Sequence, residues 1–203
     1  MASTVFSLTD RVAIALIDKN YVRWSKENHV NSLNDAISTI VMMRPDLSIV
    51  VESVEVAAGQ CRIRLPADAY KLLSVNHFDG IAIIPVSLSE LNWKYPSWRV
   101  TSGTPSNWVK HDTDELTFFL FPQPENAGVV EVEYSRLKKV ADDEAIIPLP
   151  DIYEPLLFDY MMYRAYSRDG QNESEQAKAN THLQAFQLAL TGKTQSDNTG
   201  AKA

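Results

Sequence analysis

At 203 residues the chain is at the upper edge of a single domain, and one of this size buries roughly 70% of its unfolded surface without staples. Hydrophobic residues make up 45% and charged residues 22%, and the single cysteine, Cys61, excludes an intramolecular disulfide framework and any paired-thiol zinc site. A formal charge of −7, from 19 basic and 26 acidic residues, argues against stable wrapping around DNA, which needs a cationic footprint, while allowing DNA to pass nearby without adhering.

The chain opens Met1-Ala2-Ser3-Thr4-Val5-Phe6 without a basic segment and a following apolar run, so no secretory signal is expected. The lone thiol fits assembly in a cytoplasm. A first helix is predicted over 10–18, with Thr9 or Asp10 as its cap. A second starts near Ser25, carries the apolar stripe Val30, Leu33, Ile37, Ile40 and Val41 at helical spacing, and ends at Arg44-Pro45 because proline disfavours helix in the residue before it. The longest apolar runs, 12–17 and 81–86, fall far short of the ~20 residues of a spanning helix, so no membrane partner is expected.

The period then changes. Residues 49–56 are β-branched and partly alternating. Ala58-Gly59-Gln60 offers a turn, and Cys61, Ile63 and Leu65 alternate with Arg62 and Arg64, which together predict a hairpin. Further strands are expected over 81–86, 115–121 and 129–134, with prolines at 85, 96, 105, 122 and 124 imposing turns between them. Trp93, Tyr95 and Trp98 crowd one proline-containing, loop-like stretch with Trp108 nearby, either a local core or a set of interface anchors.

Helix returns at Asp151, with Pro155 tolerated in the first turn. Leu156, Leu157, Tyr160, Met161 and Arg164 share one face and Phe158, Met162 and Tyr166 another, so this helix is expected to be covered on both sides. Asp169-Gly170 stops it. The last helix carries Ala179, Leu183, Phe186 and Leu190 and is expected to end at Gly192, leaving 193–203 as a flexible tail.

Catalytic chemistry has no foothold in these motifs. Gly192-Lys193-Thr194 imitates the end of a phosphate-binding loop, but Gln187 stands where the loop needs glycine, and a helix precedes it instead of a strand. His29, His77, His111 and His182 form no pair at helical metal-box spacing. The acidic cluster of Asp112, Asp114 and Glu115 beside His111 reads as a turn before a cation site. Cys61 takes an alternating strand position, where a small buried hydrophobe is expected before a nucleophile. No catalytic residue, cofactor or metal is therefore assigned.

The C-terminal half carries a resemblance. Phe118-Phe119-Leu120-Phe121-Pro122-Gln123-Pro124 leads to Val129-Val130-Glu131-Val132-Glu133-Tyr134, then Ile147-Pro148-Leu149-Pro150-Asp151-Ile152-Tyr153, and then Tyr160-Met161-Met162-Tyr163-Arg164-Ala165-Tyr166-Ser167-Arg168-Asp169. Earlier, residues 18–24, Leu33-Asn34-Asp35-Ala36, Arg44-Pro45-Asp46 and Leu65-Pro66-Ala67-Asp68 fit the same pattern; Asn20-Tyr21-Val22-Arg23 departs from it, since relatives carry a more acidic run there. Over about 9–192 this order resembles the podovirus-type phage head-to-tail adaptor (connector) proteins.

The resemblance implies an α+β fold: a helical bundle formed by N- and C-terminal helices (about 9–45 and 151–192) with an inserted antiparallel β-strand region (about 48–140), in a single adaptor domain spanning 1–192. It implies a structural, non-enzymatic protein at the virion's head-tail junction, assembled in the host cytoplasm. Its copies would form a dodecameric ring between the portal protein and the tail nozzle or tube, with double-stranded DNA passing through unbound. Tyr160, Tyr163, Arg164 and Tyr166, with Lys193, Thr194 and Gln195 of the tail, become the expected contacts to portal or neighbouring copies; Trp93, Trp98 and Trp108 are the candidates in the strand region. A head-completion or decoration protein is the alternative of the same class, and a hydrolase the enzymatic one.

Overall fold

The computed structural model describes residues 3–169 and 172–200. Two compact units emerge, one from Met1–Leu47 with Lys138–Ala203 and one from Ser48–Leu137.

In the first unit, α1 spans Val5–Ala15. It starts earlier than the expected cap at Thr9 or Asp10, because the Thr4 hydroxyl accepts a hydrogen bond from the Ser7 amide at 3.2 Å. The amides of Val5 and Phe6, which precede the intrahelical ladder, find the carbonyls of Ala145 and Asp143 at 3.0 and 2.8 Å. Thr9 is buried on the packed face, its hydroxyl turned to the Phe6 carbonyl. The next helix, α2, spans Lys26–Met43, capped by Ser25 as expected and closed at Arg44; Leu33, Ile37, Ile40 and Val41 of its stripe are buried.

Towards the other end of the chain, a 3-10 turn at Asp151–Tyr153 leads into α4 (Glu154–Tyr166), with Pro155 in its first turn. This helix packs against α1, α2 and α5 (Glu173–Gly200), which explains apolar residues on two of its faces. The expected stop at Gly192 does not occur. Gly192 lacks the left-handed backbone of a helix-ending glycine, Leu190 is buried, and the Thr194 hydroxyl bonds back to the Leu190 carbonyl at 2.8 Å.

The second unit holds ten strands. They are β1 (Ile49–Val56), β2 (Arg62–Arg64), β3 (Ala69–Phe78), β4 (Ile81–Ala82), β5 (Ile84–Pro85), β6 (Ser102–Gly103), β7 (Asn107–Lys110), β8 (Thr117–Phe121), β9 (Gln123–Pro124) and β10 (Gly128–Arg136). One sheet runs β1-β10-β3-β4, a second β2-β8-β7-β5, and β6 pairs with β9. Helix α3 (Leu88–Lys94) lies between β5 and β6 in sequence.

Several expectations are corrected here. β1 and β2 are not a hairpin: β1 pairs with β10 and β2 with β8, and the turn at Gly59, with φ of +74°, carries the chain from one sheet to the other. The strand expected over 81–86 splits into β4 and β5, which belong to different sheets. The bundle of N- and C-terminal helices around one inserted antiparallel strand region is overturned as an architecture: the strands form three sheets, β5–β7 and β6–β9 are parallel pairs, and α3 falls inside the strand-bearing stretch. The α+β class holds.

The strand β3 gave no signal in the sequence because its buried residues, Ala69, Leu72, Val75 and Phe78, fall every third position. Register shifts against β10 produce this spacing, breaking the period of two that marks a half-buried strand.

The main core of this unit joins the two larger sheets: Val75 and Phe78 of β3 and Val130, Val132 and Tyr134 of β10 pack in one cluster with Phe118 and Leu120 of β8. On the other face of β8, Phe119 joins Leu91, Trp98 and Val109 in a second cluster. A strand covered on both faces reads as a continuous apolar run, which is why residues 118–121 show no alternation.

Candidate assembly interface

In the helical unit the expected contact residues lie on α4, where i, i+3 and i+4 spacing stacks them along the helix. The half-buried Tyr160 ring is 5.1 Å from Phe186 of α5 and 5.8 Å from Tyr163, both edge to face. Tyr166 stacks on His182 at 6.0 Å, and the His182 ring holds Asp159 through Nδ1 at 2.9 Å. Arg164 is exposed and pairs with Asp35 of α2 at 3.0 Å. Tyr163 and Arg164 line a cleft of about 470 Å³ with Trp24, His29, Asp35 and Arg168.

Deep in that cleft wall, His29 is 2% exposed, and its Nε2 has no hydrogen-bond partner among the described residues. Burial pushes its pKa down, against the opposing pull of Asp18 and Asp143. At the C-terminal end, Thr194 is half-buried and Gln195 exposed on α5, whereas the side chain of Lys193 lies outside the described residues.

The loop between α1 and α2 falls within residues 18–24, which the sequence marks only through the resemblance. The carboxylate of Asp18 accepts the backbone amides of Trp24, Val22 and Arg23 at 2.8 to 2.9 Å, which hold its pKa below the ordinary aspartate value. The closed loop keeps Ile17 and Tyr21 in the left-handed region, with φ of 58° and 56°, a conformation uncommon outside glycine and most unusual for β-branched isoleucine. Ile17 is 94% and Val22 85% exposed. The signal in the sequence was an aspartate at the end of an apolar helix followed by no glycine.

In the strand-bearing unit the four neighbouring aromatics divide. Trp98 is completely buried against Leu91, Val109 and Phe119, with its indole N–H donated to Asn92 at 2.8 Å and Arg99 lying over the ring. Trp108 sits in the larger core, with Nε1 unpartnered among the described residues. Trp93, by contrast, is 81% exposed on α3, near the half-exposed Tyr95, whose ring meets Phe121. The helix that carries Trp93 was legible in principle: Ser87 caps it by accepting the Glu90 amide at 3.1 Å, and Ser-x-x-Glu is the capping-box pattern.

The candidate chemical groups fold into local structure. His111 Nδ1 accepts the amides of Thr113 and Asp114, while Asp114 accepts the Leu116 amide and the Thr117 hydroxyl, so the polar cluster closes the turn before β8. Cys61 is partly buried beside the Leu120 carbonyl, and burial pushes its thiol pKa up, away from the nucleophilic form. Among the described residues, no group of three His, Cys, Asp or Glu side chains is placed to hold a metal ion, and no helix is long and apolar enough to cross a membrane.

No curated protein matches the chain. The family model described as SU10 adaptor protein matches residues 3–203, so the match takes in both units, the exposed loop at Ile17 and the helix bearing Trp93. With nearly the whole length covered, the chain belongs to the SU10 adaptor protein family and is a phage adaptor, a structural protein of the virion.

Proposed function

We propose that copies of this adaptor assemble into a ring at the head-tail junction, between the portal and the tail nozzle or tube, and that the ring lines part of the DNA path. The observation that carries this reading is the display of large apolar side chains within a chain whose family is structural. Ile17, Val22, Trp93, Leu188 and Val100 are 94, 85, 81, 76 and 74% exposed. A tryptophan or isoleucine held in water gains free energy when a partner covers it, and aromatic anchors of this kind dominate many interfaces. The work is thermodynamic: the portal presents a symmetric template, and each copy buries these residues against it or against its neighbour. The chain's net charge of −7 favours passage of DNA without adhesion. The last turns of α5, with Thr194 and Gln195, are the expected contact with the portal.

Electron microscopy of the purified full-length protein mixed with its portal tests the reading. The expected result is a ring of copies on the portal's tail-facing end. Co-purification with the capsid shell and not with the portal would instead establish the head-completion alternative.

A further inference from the structure

The outer strand of the first sheet, β1, is unusual for an edge. It pairs with β10 over eight residues without a register shift, and among the described residues no strand pairs with its other side. Alternate N–H and C=O groups along that side are therefore available for another strand. Edges are ordinarily blunted by short length, proline, lysine or a bulge. The opposite edge follows this rule: β4 has two residues. Residues 49–56 contain no proline, lysine or bulge; of their two charged side chains, Glu52 is held by Tyr134 and Arg136 on the inner face, and the outward face presents Ile49 and Val51, 45% and 55% exposed, together with Glu55. A long, regular edge left open in a virion protein is a template for another strand.

Charge identifies the occupant. On the outward face the exposed Glu55 lies in line with Ser53 and Val51, and the register sets Glu131 and Glu133 of β10 beside those two. A second copy of β1 in antiparallel pairing would set Glu55 opposite Ile49 or Val51 and leave its charge unanswered. The complementary edge is β2, the outer strand of the second sheet, which pairs only with β8. Its two exposed side chains are Arg62 and Arg64, spaced two residues apart on one face; the Arg62 side chain is 62% exposed, with the Asp114 carboxylate 3.9 Å from its guanidinium.

We propose that the β1 edge of one copy pairs with the β2 edge of the next, which sets Arg62 and Arg64 beside Glu55, with Glu131 and Glu133 one strand further in on the same face, and continues the first sheet across the boundary between copies. The two edges are different surfaces of the chain, so the contact is head-to-tail, the class that repeats into a ring when its rotation closes. The inference rests on the ring reading above and names the surfaces that make the ring.

Charge reversal in the full-length protein tests it, with ring yield on the portal counted by mass photometry and microscopy. Glu55→Arg alone, and Arg62→Glu with Arg64→Glu, are each expected to lower ring yield at least tenfold while thermal melts remain near wild type. An equimolar mixture of the two variants is expected to restore rings, because every boundary then joins a reversed β1 to a reversed β2 or a native edge to a native edge. Rings from either variant alone, or no rings from the mixture of folded variants, overturn the pairing while leaving the ring reading in place. Absence of rings from the wild-type protein overturns both. Should the double reversal fail to fold, Arg62→Gln with Arg64→Gln removes charge without adding any. A drop in ring yield supports the pairing, and wild-type yield overturns it.

Discussion

In the helical unit the rings of Tyr160, Tyr163 and Phe186 pack on one another and Tyr166 stacks on His182, so its aromatic residues are largely spent inside the chain. In the strand-bearing unit Trp98 and Trp108 sink into two separate cores while Trp93, five positions before Trp98, stands in solvent. The most exposed apolar residues of the helical unit are aliphatic, Ile17 and Val22 in the α1–α2 loop and Leu188 on α5, although the Phe6 ring is also half-exposed. A cluster of aromatics in a sequence therefore says little about which ring is an anchor. Burial of the individual side chain decides it, and that depends on which sheet face or helix face each residue reaches.

The sharpest way to break this comparison is to truncate the two tryptophans in parallel. Trp98→Ala removes a completely buried side chain and strands Asn92 without its indole donor; a loss of about 3–5 kcal/mol is expected in a denaturant melt. Trp93→Ala is expected to change stability by about 0.5 kcal/mol or less and to lower co-sedimentation with the portal. Equal losses of stability from the two substitutions would erase the distinction between core and displayed tryptophan.

Next in size is Gly128→Ala, at the start of β10. A Cβ there would lie 2.4 Å from the Asp79 carboxylate and 2.5 Å from the buried Phe78 ring, and Asp79 is already engaged with the Val129 amide. The expected cost is about 1–3 kcal/mol, confined to the strand-bearing unit and visible as faster amide exchange in β3 and β10.

In the helical unit, Tyr160→Ala removes the contact with Phe186 and is expected to cost about 1–2 kcal/mol, whereas Tyr163→Ala, which touches Tyr160 on one side and the open cleft on the other, costs about half as much. If both melts match wild type while portal binding is lost, these rings are contacts to another molecule and not internal packing.

The smallest effect expected is a pH dependence of the helical unit. Burial depresses the pKa of His29, so the unfolded chain takes up a proton that the folded ring refuses. The stabilisation is complete above the unfolded value of about 6.5 and is lost progressively as pH falls from there towards the lower folded value. Melting of the helical unit should drop as pH falls below about 6.5 in the wild type, and His29→Gln should flatten that slope. An equal slope in both proteins removes His29 as its source.

Much of the local structure was legible in the residues themselves. Ser25, the stripe through Leu33, Ile37, Ile40 and Val41, and the Arg44-Pro45 stop located α2 because caps, period and proline act within a few residues of chain. β1 and β10 were legible from β-branched runs and alternation. Of the candidate interface, the sequence picked out Tyr160, Tyr163, Arg164 and Trp93 but not Ile17, Val22 or the open edge of β1. Exposure of an isoleucine has no local signature, and whether a strand is central or outermost depends on partners far along the chain.

By itself, then, the sequence determined the α+β class, most helices, several strands and, through the order of its C-terminal motifs, membership in a phage adaptor family. Only the tertiary structure decided that β1 and β2 belong to different sheets, that β3 crosses the first sheet with bulges that disguise its period, that α5 continues through Gly192, and that Trp98 is core while Trp93 is surface. The physical reason is reach. Caps, turns and periodicity are fixed by neighbours within a turn or a strand pair of one another, whereas sheet order, register and burial are settled by contacts between residues tens of positions apart, which no local pattern encodes.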